Sequence, residues 1–223
     1  TKPYLHDTEQ NRIDFGAFNE LHDQTAHALT SALAVRMADV DAVIINEQVA
    51  SGIHHSPCFQ ELLQTLITEH PGSIFVLDSR HYSGRYAGTI RKLNEHEAAR
   101  QCGSMRGDDE VILDAEARAA AQTLWQRWSR AVFVTRGARG CLAHDAAGLH
   151  EIPGLQLSGR VDPVGAGDSM LAGIAAALAA GRGARAAAEL GNVAAGVTVQ
   201  KLFQTGTASP GEILACARTH IAV

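Results

Sequence analysis

The sequence lacks the features that mark several classes of protein. It has only four cysteines among 223 residues and no Cys-x-x-Cys pair, so we expect reduced thiols in a cytoplasmic protein rather than a disulfide framework. It has no block of basic residues and a formal net charge of -5, which argues against a nucleic acid partner. Its most apolar run, residues 170–180, is too short to span a bilayer. We therefore expect neither nucleic acid nor a membrane as a partner.

Two common nucleotide-binding motifs are absent as well. A Walker A loop places Lys and then Ser or Thr after its last glycine, whereas Asp168 and Ser169 follow Gly167 here. A G-x-G-x-x-G dinucleotide motif does not occur, and residues 136–140 offer only G-x-x-G. What the sequence does have is 46 % hydrophobic and 19 % charged residues. This composition suits a globular chain with a sizeable core, and we expect one domain over residues 1–223.

Apolar runs and helical periods alternate along the chain. Runs without a polar alternation predict buried strands at residues 41–47, 73–79 and 131–137. Apolar residues at helical spacing predict helices at residues 23–38, 56–70, 114–129, 166–181, 183–200 and 210–220. Residues 138–153 are punctuated by Gly and His and predict a β-hairpin or meander. This order predicts an α/β fold with a mostly parallel sheet and helices on both faces.

The stretch Gly165-Ala166-Gly167-Asp168 leads directly into an apolar, Ala-rich helix. Free N–H groups at a helix start bind negative charge, and glycine lets a ligand approach the backbone closely. A carboxylate beside such a site suits phosphoryl transfer to an alcohol, because the amides stabilise the moving phosphoryl group while the acid accepts the hydroxyl proton. The residues alone equally allow Asp168 to be a helix-start acid that the dipole favours.

Four segments together resemble the ribokinase-like (PfkB) family of carbohydrate kinases. The segment "DPVGAGD" (162–168) is similar to the family signature D-T-x-G-A-G-D, with Pro163 in place of Thr. The segment "KLNEHEA" (92–98) contains the family's N-x-x-E element, and "VTRGARG" (134–140) resembles its T-x-G-x-x-G strand end. Residues 191–213 resemble the helix and tail on the adenine side. The resemblance runs from about residue 40 to the end and implies a three-layer ribokinase-like fold.

The resemblance also implies a role for each matching residue. Asp168 would be the catalytic base, and the loop that begins at Gly165 would form the anion hole with the backbone amides of Ala166, Gly167 and Asp168. Asn94 and Glu97 would organise Mg2+ through water. Their spacing also fits a capping box at a helix start, and the two interpretations are compatible.

The nucleotide and a second cation would use other matching residues. The phosphate and ribose contacts would come from Thr135, Gly137 and Gly140, and the adenine contacts from Asn192, Ala195 and Val199. A plain strand-to-hairpin turn and a solvent-facing helical Asn are the alternatives that the residues leave open. Asp162 would help hold a monovalent cation, although Pro163 removes a hydroxyl and a backbone donor beside it.

Within the family, the sequence is most similar to the kinases of heptose 7-phosphate. The likeness lies in "NRIDF" (11–15), "DSR" (78–80) and the tail, which departs at Phe203 and Gln204. A second departure is "NEQVASG" (46–52), where many relatives have S-D-Y-x-K-G.

Relatives are usually longer than this chain. We therefore expect the amino-terminal third, with the leading strands, the sugar-binding stretch and most of the lid, to be missing here. The open sheet edge should then be covered in a homodimer. The expected activity is transfer of the γ-phosphoryl group of ATP to a hydroxyl of a sugar or sugar phosphate. The alternatives are a non-catalytic nucleotide-binding scaffold and a kinase of a nucleoside or vitamin alcohol.

Overall fold

The protein folds around one six-stranded sheet. The computed structural model describes residues 20–107, 109–204 and 206–220, together with the backbone of residues 4–5 and 8–9. Its strands are β1 (Tyr4–Leu5), β2 (Thr8–Glu9), β3 (Ala42–Glu47), β4 (Ile74–Ser79), β5 (Ile90–Asn94), β6 (Val132–Thr135), β7 (Cys141–Asp145) and β8 (Gly148–Ile152). Its α-helices are α1 (Asp23–Arg36), α2 (Pro57–Glu69), α3 (Glu95–Gln101), α4 (Asp114–Trp128), α5 (Ala166–Ala179), α6 (Ala184–Val199) and α7 (Pro210–His220).

The sheet has the strand order β3-β4-β5-β6-β7-β8. Strands β3 to β6 are parallel, and β7 and β8 continue the sheet as an antiparallel pair. The short strands β1 and β2 pair with each other in a separate two-stranded sheet. The carboxyl ends of the four parallel strands therefore meet at one edge of the sheet, where open α/β sheets bind their ligands.

Helices cover both faces of the sheet. Helices α1 and α2 pack on β3 and β4, and helices α3 and α4 pack on β5, β6 and β7, all on one face. Helices α5 and α6 pack on the other face, against apolar side chains such as Val76 and Phe133. The mostly parallel three-layer α/β architecture expected from the sequence is confirmed. None of the helices within the described residues has both the length and the apolar character that a membrane span requires.

Local signals account for several of the helix starts. Ser56 accepts a hydrogen bond on its Oγ from the N–H of Phe59 at 3.3 Å, and Pro57 occupies the first helical position of α2. Trp125 and Trp128 pack against the core cluster beneath α4, as their spacing predicts. Residues 136 and 137, expected at the end of the strand predicted for 131–137, lie beyond β6, and the chain turns through a short 3-10 helix at Gly137–Arg139. The hairpin expected at residues 138–153 is formed by β7 and β8.

Helices α5 and α6 approach each other closely because glycines meet at their crossing. A Cβ atom on Gly173 would lie 2.7 Å from the Cα of Gly191, so a larger residue at that position would push the helices apart. The pair is also joined at the amino-terminal end of α5, where Thr198 Oγ1 donates to Ser169 Oγ at 2.7 Å. This packing fixes the start of α5 over the carboxyl ends of the parallel strands.

Candidate active site

The amino terminus of α5 forms the centre of the candidate site. Gly165 has a φ of 79°, a left-handed conformation that lets the chain turn sharply into the helix. The N–H of Ala166 donates to the carbonyl of Pro163 at 3.1 Å. Within the part of the chain that the structure describes, no acceptor is bonded to the N–H of Gly167 or Asp168. The anion hole expected from the 165–168 loop is therefore best offered by two amides, those of Gly167 and Asp168.

Three polar side chains lie in a row beneath this helix start. The strand register places Asn46 beside Asp78, and Asp78 beside Lys92. Lys92 Nζ donates to Asp78 Oδ2 at 2.6 Å in a buried ion pair. A Cβ atom on Gly167 would lie 3.3 Å from Lys92 Nζ. The ammonium group of Lys92, paired with Asp78, therefore lies close to Gly167 at the start of α5.

Asp168 is exposed, and its carboxylate is held from the sheet side. Asn46 Nδ2 donates to Asp168 Oδ1 at 3.2 Å. Motif reasoning missed Asn46, Asp78 and Lys92, although Asn46 and Asp78 are polar residues near the carboxyl ends of parallel strands. That shared position is the signal that could have identified these two residues.

Asn94 and Glu97 form a capping box at the start of α3. The N–H of Glu97 donates to Asn94 Oδ1, and the N–H of Asn94 donates to Glu97 Oε2, both at 2.8 Å. Burial of Glu97 raises the pKa of its carboxyl, and the charge of Asp78 adds to this effect, while the N–H of Asn94 and the charges of Lys92 and Arg80 oppose it. The helix-cap interpretation is confirmed, and the metal role stays a prediction.

The donor set near Glu97 restricts how a metal could be held. Among the described residues, no three or more His, Cys, Asp or Glu side chains converge in a way that could hold a metal ion. Only one oxygen of Glu97 is used by the capping box. Mg2+ keeps several waters and needs few protein carboxylates when phosphate oxygens are present, so Glu97 and bound phosphates fit this ion.

A cavity of about 370 Å3 opens between the β6–β7 turn and α6. Four residues predicted to contact the nucleotide line it, namely Gly137, Asn192, Ala195 and Val199. Ala166 lines the same cavity. Thr135 lies beside Asn94 in the sheet register, and its Oγ1 donates to the carbonyl of Leu93 at 3.4 Å. The structure therefore brings four of the six predicted nucleotide residues, together with Ala166 at the α5 start, around one cavity.

Two glycines allow the cavity wall to form. A Cβ atom on Gly140 would overlap the carbonyl oxygen of Ile152, and one on Gly154 would overlap the carbonyl oxygen of Ala138. Asn192 Nδ2 donates to the carbonyl of Pro153 at 2.9 Å and so anchors the chain after β8 to α6. Gly140 is not one of the residues that line the cavity, but its lack of a Cβ allows the close backbone contact that forms the wall.

Asp162 connects the signature loop to the tail. Its Oδ1 accepts the N–H of Val164 at 3.0 Å, and its Oδ2 accepts the N–H of Phe203 at 3.1 Å. Its own N–H donates to the carbonyl of Val199 at 2.7 Å. Phe203 has a φ of 60°, a left-handed conformation that favours glycine. The tail departure noted in the sequence is thus held by Asp162, and a monovalent cation at this residue stays a prediction.

Comparison with known proteins assigns the family. Residues 81–210, more than half of the chain, match the model described as pfkB family carbohydrate kinase. The chain belongs to this family. The resemblance predicted from the motifs is confirmed, while the "NRIDF" segment (11–15) lies outside the described residues.

Relatives and solved structures agree with this assignment. The chain is 29 % identical over 196 residues to the bifunctional protein HldE of Caulobacter vibrioides, covering 85 % of this chain and 38 % of that protein. It is 35 % identical over 165 residues to the bifunctional protein HldE of Pelobacter propionicus, covering 70 % and 32 %. The chain thus spans less than half the length of these relatives.

Among solved structures, the ribokinase of Arabidopsis thaliana complexed with ribose and ATP superposes with a TM-score of 0.69 at 15 % identity. The superposition covers 84 % of this chain and 59 % of that one. This likeness confirms the ribokinase-like fold.

Proposed function

We propose that this chain carries the nucleotide-binding and catalytic part of an ATP-dependent sugar or sugar-phosphate kinase. The observation that carries the proposal is the arrangement at the start of α5. The available amides of Gly167 and Asp168 and the ammonium of Lys92 lie close to this start, and Asn46 near the end of β3 donates to the carboxylate of Asp168. Membership of the carbohydrate kinase family supports this interpretation.

The proposed chemistry follows from the charges at this edge. Asp168 accepts the proton of the acceptor hydroxyl, whose oxygen forms a bond to the γ-phosphorus of ATP. The bond from that phosphorus to the bridging oxygen breaks, and ADP leaves with the electron pair. The amides of Gly167 and Asp168 and the ammonium of Lys92 stabilise the charge on the transferred group. Asp78 holds Lys92 in place through the buried ion pair.

The nucleotide is proposed to occupy the cavity lined by Gly137, Asn192, Ala195 and Val199. Its phosphates would then run past Thr135 and the Gly137–Gly140 turn toward the start of α5. Glu97, assisted by Asn94, would hold Mg2+ through water. Bound Mg2+ would neutralise part of the phosphate charge.

The acceptor is proposed to be a sugar phosphate. The motif resemblance to heptose 7-phosphate kinases, which residues 78–80 and the tail carry together with residues 11–15, favours this class. The chain spans only part of its relatives, so the acceptor of the intact protein is a proposal that substrate screening must test.

Two measurements test the proposed function. Calorimetry with ATP should detect binding to this chain. A sugar and sugar-phosphate kinase assay on the intact protein should detect turnover that Asp168→Asn reduces by roughly 10²–10⁴-fold, because the substitution removes the base but keeps the side-chain size. ATP affinity should stay nearly unchanged. Asp39→Asn, at an exposed residue after α1, is the matched control and should keep full turnover. Undiminished turnover in Asp168→Asn would overturn the proposal.

A further inference from the structure

Asn46 and Gln48 form a short hydrogen-bonded relay that ends on Asp168. Gln48 Nε2 donates to Asn46 Oδ1 at 2.6 Å, and Asn46 Nδ2 donates to Asp168 Oδ1 at 3.2 Å. The relay starts at the carboxyl end of β3, which is an edge strand of the six-stranded sheet. We propose that Asn46, oriented by Gln48, is a positioning residue that fixes which oxygen of Asp168 accepts the acceptor proton. This inference rests on the proposed function.

The polarity of the relay is set by the carboxylate. An ionised Asp168 can only accept hydrogen bonds, so Asn46 must present its NH2 group to it. The carbonyl oxygen of Asn46 then faces Gln48, which must in turn present its own NH2 group. Each of the two side-chain amides thus has one orientation in which both hydrogen bonds of the relay are made. Because Asp168 Oδ1 is engaged by Asn46, Oδ2 is left for the acceptor hydroxyl.

Asp168 needs such a partner because of its position. Its side chain is exposed at the start of a helix, where a carboxylate would otherwise rotate freely between its two oxygens. A base with a fixed oxygen holds the hydroxyl in a reactive geometry more of the time. Asn46 and Gln48 lie in the 46–52 segment, where the sequence departs from the S-D-Y-x-K-G of many relatives. The inference therefore concerns this chain in particular.

The other charged groups around the relay are held by separate contacts, and Glu47, between Asn46 and Gln48, accepts from Ser79 and His81. The Lys92–Asp78 pair comes from β5 and β4, and Asp162 lies in the loop before α5. Substitutions at Asn46 and Gln48 leave all of these groups in place. A change in the pH profile of such a variant can therefore be assigned to the relay.

The sharpest variant is Gln48→Glu, which reverses the relay. A carboxylate at residue 48 would draw the NH2 group of Asn46 toward itself and turn the carbonyl of Asn46 to face Asp168. We expect kcat to fall about tenfold with the KM for ATP unchanged, and the acidic limb of the pH–rate profile to move up by about one pH unit. Gln48→Ala, which only frees Asn46 to rotate, should lower kcat less and leave the pH profile in place.

Asn46 itself provides a second pair of variants. Asn46→Asp places a carboxylate against Asp168 and should shift the pH profile in the same direction as Gln48→Glu. Asn46→Ala should lower kcat about tenfold and, because it removes a hydrogen-bond donor without adding a charge, should shift the pH profile in the same direction by a smaller amount. Gln122→Ala, at an exposed residue on the opposite face in α4, is the control and should keep both kcat and the pH profile. Circular dichroism spectra should show that all variants remain folded.

The outcomes separate this inference from the proposed function. If Asp168→Asn keeps full turnover, the proposed function fails. If Asp168→Asn is inactive while Gln48→Glu and Asn46→Asp keep the original kcat and pH profile, only the relay is overturned. NMR titration of the Asp168 carboxyl carbon gives a readout that needs no turnover. Its midpoint should be higher in Asn46→Asp than in the original chain, and equal midpoints would also overturn the relay.

Discussion

The two sides of the candidate site are built in different ways. On the side of β6 to β8, α5 and α6, the geometry comes from backbone approaching backbone, as at Gly140, Gly154 and the Gly173–Gly191 crossing. On the side of β3, β4 and the segment 80–89, it comes from polar side chains that hold loops by hydrogen bonds. The geometry of the first side requires glycine at positions where a Cβ atom would clash with backbone atoms. The geometry of the second side requires charged side chains that hydrogen-bond to the loops. A substitution should therefore act sterically on one side and electrostatically on the other.

Arg91 shows how the second side is held. Its side chain is buried in the central strand β5, and its guanidinium lies 4.1 Å from the ring centroid of Trp128. The guanidinium donates four hydrogen bonds of 2.9 to 3.2 Å to backbone carbonyls, those of Ser83, Arg85, Tyr86 and Thr89. Burial lowers the pKa of Arg91 to about 10, which leaves it charged at neutral pH. One side chain thus organises the whole turn between β4 and β5.

Glu47 plays the corresponding part at the end of β3. Its buried carboxylate accepts hydrogen bonds from Ser79 Oγ at 2.7 Å, and from the N–H and Nδ1 of His81, both at 2.9 Å. Burial opposes ionisation of Glu47, but these hydrogen bonds and the charge of His81 outweigh it and lower its pKa. The chain after β4 is thereby tied to β3.

The largest effect is expected for Gly154→Ala on the backbone side. The new Cβ would overlap the carbonyl oxygen of Ala138, and the other nearby atoms, the carbonyl carbon of Ala138 and the N of Gly140, are also backbone atoms that cannot rotate away. We expect the free energy of unfolding to fall by about 3 kcal/mol and ATP binding to weaken sharply, because the turn must move into the cavity. Urea denaturation and calorimetry measure both quantities.

Gly211→Ala is the matched control for Gly154→Ala. It lies in the first turn of α7, and no heavy atom stands within 4 Å of the added Cβ. We expect it to be neutral or to stabilise by up to about 1 kcal/mol. Equal effects of the two substitutions would show that close backbone approach does not shape this side.

Arg91→Lys tests the side held by polar groups. Lysine keeps the charge but lacks the planar fork, so most of the four carbonyls would lose their donor in a buried place. We expect the free energy of unfolding to fall by about 2–3 kcal/mol in denaturant titrations. Arg127→Lys is the control, because Arg127 is exposed and makes a hydrogen bond to the carbonyl of Gln101. A loss no larger than that of Arg127→Lys would contradict the assigned role of Arg91.

The same contrast explains what the sequence could and could not predict. On the backbone side, helices α5 and α6 and strand β6 were predicted from their apolar patterns, the β7–β8 hairpin from its Gly and His residues, and the family signature from its glycines. Strand β5 was missed, because Arg91 and Lys92 at its centre are charged residues that normally mark a surface. The carbonyls that accept from Arg91 lie in the turn just before β5, and Lys92 pairs with Asp78 on the neighbouring strand. No residue pattern marks these partners in the sequence, because most of them are backbone groups whose direction only the folded turn sets. The relay from Gln48 to Asp168 could not be predicted either, because it joins two segments that lie more than 100 residues apart in the sequence.

Glu47→Gln should weaken the fold in a way that depends on pH. Because folding lowers the pKa of Glu47, its contribution to stability is present above the ordinary value of 4.5 and is lost as the pH falls through the lowered value. At pH 7 we expect the variant to be less stable by about 1.5–2 kcal/mol. The difference should shrink below pH 4.5. Thermal unfolding at pH 7 and pH 3 measures it.

Glu69→Gln is the control for this pH dependence, since Glu69 is an exposed residue at the end of α2. It should change stability by less than about 0.5 kcal/mol at either pH. A Glu47→Gln difference that is equally large at both pH values would mean that packing, and not the charge of Glu47, holds the two strand ends together.

The smallest effect on stability is expected for a substitution at Glu97. Glu97→Gln preserves the capping box, because Gln also serves at this helix position, and so it should leave stability nearly unchanged. It removes the negative charge proposed to orient the waters of Mg2+. The Mg2+ concentration for half-maximal rate should therefore rise by about tenfold in the intact protein.

Glu61→Gln on α2 is the control for the loss of one surface charge. If the Mg2+ dependence and the stability are both unchanged in Glu97→Gln, then Asn94 and Glu97 serve only as a helix cap, and the metal must be held by groups on the other side of the α5 start.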